Sequence, residues 1–186
     1  SDLPAVLLAL GGSLVAKGPN GEREIAATDF FTGFLETALA PDELLTEIVV
    51  PKMNGAGWSF QKFNRRAQDW AIVGVAAAVR MDGGSIAEAR IGLTNMGPSP
   101  VRASAVEAAL VGASSLDAIA AAAEHAAEGA SPNGDIHADV EFREHLARVL
   151  TKRAVAKAAA DGQPAVGITD HGNMYGVLDL YQAARE

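Results

Sequence analysis

Cysteine is absent from all 186 residues, which excludes disulfides, thiolate zinc centres and any iron–sulfur cluster held by this chain's own side chains. Positive charge is scarce. Fifteen Lys and Arg face 23 Asp and Glu, giving a formal net charge of −8 and a pI near 5.0. A nucleic-acid binder needs a broad basic face, and this composition does not supply one. Long apolar runs are missing too, since none reaches the roughly 18 residues of a membrane span. The N-terminus carries no basic n-region with a cleavage site. These absences predict a soluble, cytoplasmic protein. Core material is abundant: 49% of residues are hydrophobic, enough for one medium domain or two small ones.

Against the acidic background, one stretch stands out. Lys62-Phe63-Asn64-Arg65-Arg66-Ala67-Gln68-Asp69-Trp70 gathers three cations, an acid and an indole, and an apolar run from Ala71 to Val79 follows. A basic cluster anchored to a core strand suits an anion or an electron-rich ring. It equally suits a solvated basic strand edge ahead of a buried strand. Pairing of Asp69 with Arg65 or Arg66 for structural reasons also remains open.

The pattern of punctuation predicts the elements. Ser1-Asp2-Leu3-Pro4 opens a short helix that Gly11-Gly12 ends. Ser13–Lys17 and Arg23–Ala27 flank Gly18-Pro19-Asn20-Gly21 as a hairpin. A helical turn after Thr28-Asp29 would turn Phe30, Phe31, Phe34 and Leu35 inward. Glu47–Val50 reads as a strand closed by Pro51. The glycine loop at Asn54–Gly57 marks a boundary, with strands expected at 58–64, 72–81 and 85–95. From Val101 the chain turns helical, with helices at about 103–110, 115–126 and 139–159. The last would bury Phe142, Leu146, Val149 and Leu150 and expose Glu141, Glu144, Arg148 and Lys152. The expected fold class is α+β: an antiparallel sheet followed by a three-helix bundle. Ala165–Thr169 and Met174–Glu186 would add a C-terminal βα appendage.

Several segments, in order, resemble the C-terminal half of the FAD-binding medium subunit of molybdenum hydroxylases, the carbon monoxide dehydrogenase and xanthine dehydrogenase group. They are Ser1-Asp2-Leu3-Pro4-Ala5-Val6, Pro41–Ile48 before Pro51, Lys62–Val73, Thr94–Ala103, Phe142–Ala147 and Thr151-Lys152-Arg153. The resemblance implies a remnant of the FAD-binding domain over 1–53 and a carbon monoxide dehydrogenase flavoprotein-type C-terminal domain over 54–160. It implies FAD as cofactor, a molybdenum-binding large subunit and an iron–sulfur small subunit as partners, and electron transfer through the flavin to an acceptor. The substrate would belong to the molybdenum subunit. No nucleophile–base pair is needed, because the flavin carries the redox chemistry and the protein positions and tunes it.

By motif, the resemblance places flavin contacts on Asp2, Leu45 and Lys62. Asp2 would accept a hydrogen bond from the flavin or its ribityl chain, and Leu45 would cover an apolar ring edge. Lys62 would stabilise negative charge building near N1 and the C2 carbonyl. Asp69 and Trp70 would line the ring edge or orient Lys62 and Arg65. Phe60 stands where many relatives have a tyrosine, so a hydroxyl role is lost there. The two glycine-rich loops that cradle the pyrophosphate in this family lie upstream of the position matching Ser1. Gly11-Gly12 follows a helix instead of opening one and does not replace them. The FAD site is therefore incomplete in this chain.

A second resemblance covers the tail. Pro164–Gly176, with Thr169-Asp170-His171-Gly172-Asn173, is similar to the PHP domain of bacterial DNA polymerase III alpha subunits. It implies Asp170 and His171 as metal or phosphoesterase candidates. The remaining histidines, His125, His137 and His145, form no His-x-His spacing, so no complete metal site is expected. Two families meeting at Asp161 read as a truncated or joined frame. The alternatives to a flavin subunit are a docking module without chemistry, whose cations meet an acidic partner, and a metal-dependent phosphoesterase fragment.

Overall fold

The computed structural model describes residues 1–53, 55–66 and 68–161. The segment carrying the predicted βα appendage, Asp170 and His171 lies outside the described residues.

Helix α1 (Asp2–Leu10) is closed by Gly11 at φ 65°, whose left-handed backbone a side chain would strain. Strands β1 (Ser13–Gly18) and β2 (Gly21–Ala26) form the expected hairpin, and β5 (Leu44–Val49) joins β1 to give a three-stranded antiparallel sheet in the order β2-β1-β5. Between them, the expected inward helical turn is corrected. Helix α2 stops after four residues (Ala27–Phe30), and a small hairpin follows, β3 (Phe31–Gly33) and β4 (Glu36–Thr37). Phe30 is buried and Phe31 packs edge-on against it at 5.1 Å, while Phe34 and Leu35 sit exposed in the two-residue turn. The chain leaves the helix at Phe31, whose backbone is already extended at φ −92°, ψ 96°.

The second sheet is four-stranded and antiparallel: β6 (Ala56–Phe63), β7 (Val73–Asp82), β8 (Ser85–Thr94) and the short β9 (Val101–Arg102). Ten residues of β7 run through the centre, and its first seven are all buried. Both faces are covered. Val73, Val75, Ala77 and Val79 join the main core with α3 (Ser104–Leu110), α4 (Leu116–Ala123), a 3-10 turn (Glu124–Ala127) and α5 (Val140–Ala159). The alternate residues of β7 face α1 instead. Both approaches are close: a Cβ on Gly92 would lie 2.1 Å from the Ala5 carbonyl oxygen, and one on Gly57 2.0 Å from that of Ala158.

The class is α+β, and three α-helices, α3, α4 and α5, follow the second sheet. The described residues hold five α-helices, and α5 lies against β6 and β7 as a layer on the sheet. Its buried face differs from the expected one. Leu146 and Leu150 are buried, but with Arg143, Ala147, Thr151, Ala154, Val155 and Ala158, whereas Phe142 is 40% exposed. Alanines let α5 approach the strands closely, so its inward stripe follows small residues and not the largest apolar ones. Side chains cap the N-termini of α4 and α5: Ser115 Oγ accepts from the Ala118 amide, and Asp139 Oδ1 accepts from the Phe142 amide.

Candidate functional site

The register of β6 decides what faces α1. Lys62 pairs across to Gly74, Phe60 to Ala76 and Trp58 to Ala78, so these three side chains share the α1 side of the sheet. Lys62 Nζ therefore reaches Asp2 at the start of α1 and donates to its Oδ2 at 2.8 Å. Both side chains are about two-thirds or more buried, with 26% and 33% exposed. A neighbouring bond fixes the same helix end: Thr94 Oγ1, at the end of β8, donates to the Ser1 carbonyl at 2.7 Å. Phe60 lies alongside, its ring tip 3.3 Å from where a Gly74 Cβ would stand.

Beyond Lys62 the chain leaves β6 as a loop and returns at Ile72, whose amide donates to the Phe63 carbonyl at 2.8 Å. Arg66 pairs with Asp69 at 3.5 Å, and Asp69 Oδ1 accepts from the Trp70 amide at 2.9 Å. That amide, with Arg66 and Arg65 nearby, holds the Asp69 carboxyl below its ordinary range. The Trp70 side chain itself is 90% exposed. Arg65 Nη1 donates to His137 Nδ1 at 2.8 Å, so that nitrogen accepts. Each cation of the basic stretch thus has a partner within the chain.

Of the sequence-predicted site residues, Asp2 and Lys62 are brought together. Asp69 and Trp70 are neighbours on the loop, with Asp69 engaged by Arg66. Leu45 belongs to β5, in the other sheet, and is 42% exposed. Sequence reasoning missed Thr94, Asn95 and Arg143. Thr94 and Asn95 stood inside a quoted motif but carry no charge or ring to draw attention. Arg143 would have shown itself had the helix stripe been traced through Ala147, Leu150 and Ala154.

These residues fit one end of a flavin. A half-buried ammonium beside apolar surface from Phe60 suits a ring that gains negative charge on reduction, and the exposed indole of Trp70 offers a flat face. The phosphate end finds no support at Gly11-Gly12, because both amides are spent capping α1 on the Leu8 and Leu7 carbonyls. Among the described residues no group of three or more His, Asp or Glu is placed to hold a metal ion. No helix there is long and apolar enough to cross a membrane.

This α+β unit, with its cation–carboxylate pair at the α1–β6 junction, has counterparts among known proteins. The CO dehydrogenase flavoprotein C-terminal domain family matches residues 58–158, and the FAD binding domain in molybdopterin dehydrogenase matches 1–53. The chain belongs to the medium, FAD-binding subunits of the molybdenum hydroxylase family. It is 35% identical over 162 residues to the carbon monoxide dehydrogenase medium chain of Hydrogenophaga pseudoflava, covering 86% of this chain and 56% of that one. It is 37% identical to the caffeine dehydrogenase subunit beta of Pseudomonas sp. strain CBB1, over 86% of this chain and 55% of the relative. In solved structures it resembles the Hydrogenophaga pseudoflava carbon monoxide dehydrogenase with a TM-score of 0.82 at 38% identity. It also resembles quinoline 2-oxidoreductase from Pseudomonas putida 86, with a TM-score of 0.80 at 34% identity. Each of these two structural matches covers 86% of this chain and 56% of the solved one. The chain thus spans a little over half the length of the relatives it matches. A PHP domain family matches residues 135–186. Its first part overlaps α5, which here is a layer of the main core.

Proposed function

We propose that this chain is part of the flavin-carrying subunit of a molybdenum hydroxylase, passing electrons from the iron–sulfur clusters of a small subunit through FAD to an acceptor. A molybdenum-binding large subunit would oxidise the substrate. Residues 1–53 serve as part of the FAD-binding domain and 54–160 as the C-terminal domain. The observation that carries this reading is the Lys62–Asp2 pair, which joins one residue from each of the two matched families at a half-buried position.

FAD, when bound, supplies reversible electron storage. Lys62 presents a positive charge that favours the reduced, more negative ring, and Asp2 orients that ammonium while offering an acceptor of its own. Phe60, with no hydroxyl, only excludes water. Trp70 and Asp69 border the ring, and Leu45 covers an apolar edge. The docking-module reading needs cations free for an acidic partner. Arg65 and Arg66 are engaged within the chain, which favours the flavin reading.

Titration of the chain with lumiflavin, which has the ring but no phosphates, tests the proposal. Ring-dependent quenching of tryptophan emission is expected, with binding weakened about tenfold in Lys62→Met, the loss of one charge-assisted contact. Equal binding by wild type and variant would remove Lys62 from the site. Complex formation with partner subunits without any yellow chromophore would favour the docking module.

A further inference from the structure

The loop that carries Trp70 is closed at its base by backbone, but its returning limb is held by side chains from two distant elements. Asn95 follows β8 in the left-handed region, at φ 63°, where asparagine is among the few tolerated residues. From there its Nδ2 donates to the Ala71 carbonyl at 2.9 Å and to the Ile72 carbonyl at 3.2 Å. Arg143 reaches the same Ile72 carbonyl from α5 through Nη1 at 2.5 Å, while Nη2 donates to Asp135 Oδ2 at 2.7 Å. Asp135 is itself held by the His137 and Ala138 amides at 2.8 and 3.0 Å.

The chemistry of Arg143 is unusual for a core position. Its side chain is 2% exposed, and its Nε has no hydrogen-bond partner among the described residues. A methionine or leucine would fill that volume without a desolvated charge or an unmet N–H, so packing alone does not account for a guanidinium here. What the guanidinium adds is a direct tie between the helical layer and a loop carbonyl two residues from Trp70. The indole, 90% exposed, has its backbone amide bonded to Asp69 and takes its pose from the main chain that bears it.

We propose that Arg143 and Asn95 are positioning residues that clamp the Ala71 and Ile72 carbonyls and thereby set the pose of Trp70 at the candidate flavin site. Only what Trp70 faces rests on the flavin reading; the clamp stands on the contacts themselves. The Arg65–His137 contact ties the outgoing limb to the segment that carries Asp135, so both limbs are referred to one support.

The test uses the full chain in a Trp58→Phe background, where Trp70 is the remaining tryptophan of the two in the sequence. Arg143→Met is expected to lower the fluorescence anisotropy of Trp70 and to speed amide exchange at Ile72 about tenfold. Arg143→Lys, which keeps one donor, restores part of both. Asn95→Asp removes the donor while tolerating the left-handed backbone, and it carries the test should Arg143→Met fail to fold. Leu110→Ala, in the main core at the other end of the sheet, controls for lost stability. The proposal is overturned if the folded Arg143 and Asn95 variants keep wild-type anisotropy and Ile72 exchange, or if Leu110→Ala shifts both as far at equal loss of melting temperature. Should the variants behave as expected while wild type shows no lumiflavin quenching, the clamp holds and the flavin reading falls.

Discussion

Strands β7 and β5 are both apolar in sequence, yet they meet opposite fates. Val73-Gly74-Val75-Ala76-Ala77-Ala78-Val79 is buried at every position, while Leu44, Leu45, Ile48 and Val49 on β5 are all substantially exposed. The difference is cover. β7 is central in its sheet, with α1 on one face and α5 on the other, whereas among the described residues β5 is an edge strand paired with β1 alone. Hydrophobicity therefore nominates a strand for a core, and topology decides whether anything comes to meet it. The residues also differ in size. Small ones dominate the strand pressed between helices, and large ones stand on β5, which no described helix covers.

The contrast can be broken most severely at the helix–sheet approaches. Gly92→Val should destabilise the protein by about 3 kcal/mol, because its Cβ would meet the Ala5 backbone and not a side chain that can turn away. Denaturant melts followed by circular dichroism would show it. A midpoint within error of wild type would mean that α1 does not sit on β8.

Side-chain truncation sharpens the comparison. Leu150→Ala, on the buried stripe of α5, is expected to cost about 3 kcal/mol. Leu44→Ala, on exposed β5, should change stability by less than about 0.5 kcal/mol. Similar losses at the two sites would mean that β5 is covered in solution after all.

The smallest effect concerns pH in the three-stranded sheet. Arg23 donates to both Glu43 oxygens at 2.7 Å and to the Ala38 carbonyl, and the Ala40 amide also donates to Glu43. The Arg23 guanidinium, helped by that amide, pulls the Glu43 carboxyl down to about 2 from its ordinary 4.5. A carboxylate depressed in the folded state adds stability above its unfolded pKa and loses it as pH falls through the folded one. The contribution should therefore fade between about pH 4.5 and 2, and Arg23→Met should flatten melting-temperature curves within that window alone.

Local rules made much of this fold legible. The β1–β2 hairpin followed from Pro19-Asn20-Gly21, the β7–β8 hairpin from Asp82-Gly83-Gly84, and the end of α1 from Gly11. What escaped was whatever depended on a partner remote in sequence. The face of α5 is set by how near its alanines come to Gly57, and the pairing of Lys62 with Asp2 by the register of β6 on Gly74. Motif resemblance could nominate Asp2 and Lys62, but no spacing rule brings residues sixty apart together. Asn95 acts through backbone carbonyls, which leave no trace in side-chain patterns, and for Arg143 the helical stripe shows a buried position but not the Ile72 carbonyl it reaches.

The bond from Thr94 to the Ser1 carbonyl spans 93 positions, and that from Arg90 to Leu10 spans 80. A nine-residue helix is marginal alone in water, so α1 has little to hold it until the β7–β8 hairpin exists to receive it. Closing so long a segment is slow compared with forming a hairpin. Lys62 would thus lack its carboxylate through most of folding, and the ion pair at the candidate site would be among the last contacts to form. Its appearance would report completion of the whole unit, so a chain caught partway would hold most of its secondary structure while the Asp2–Lys62 corner stayed open.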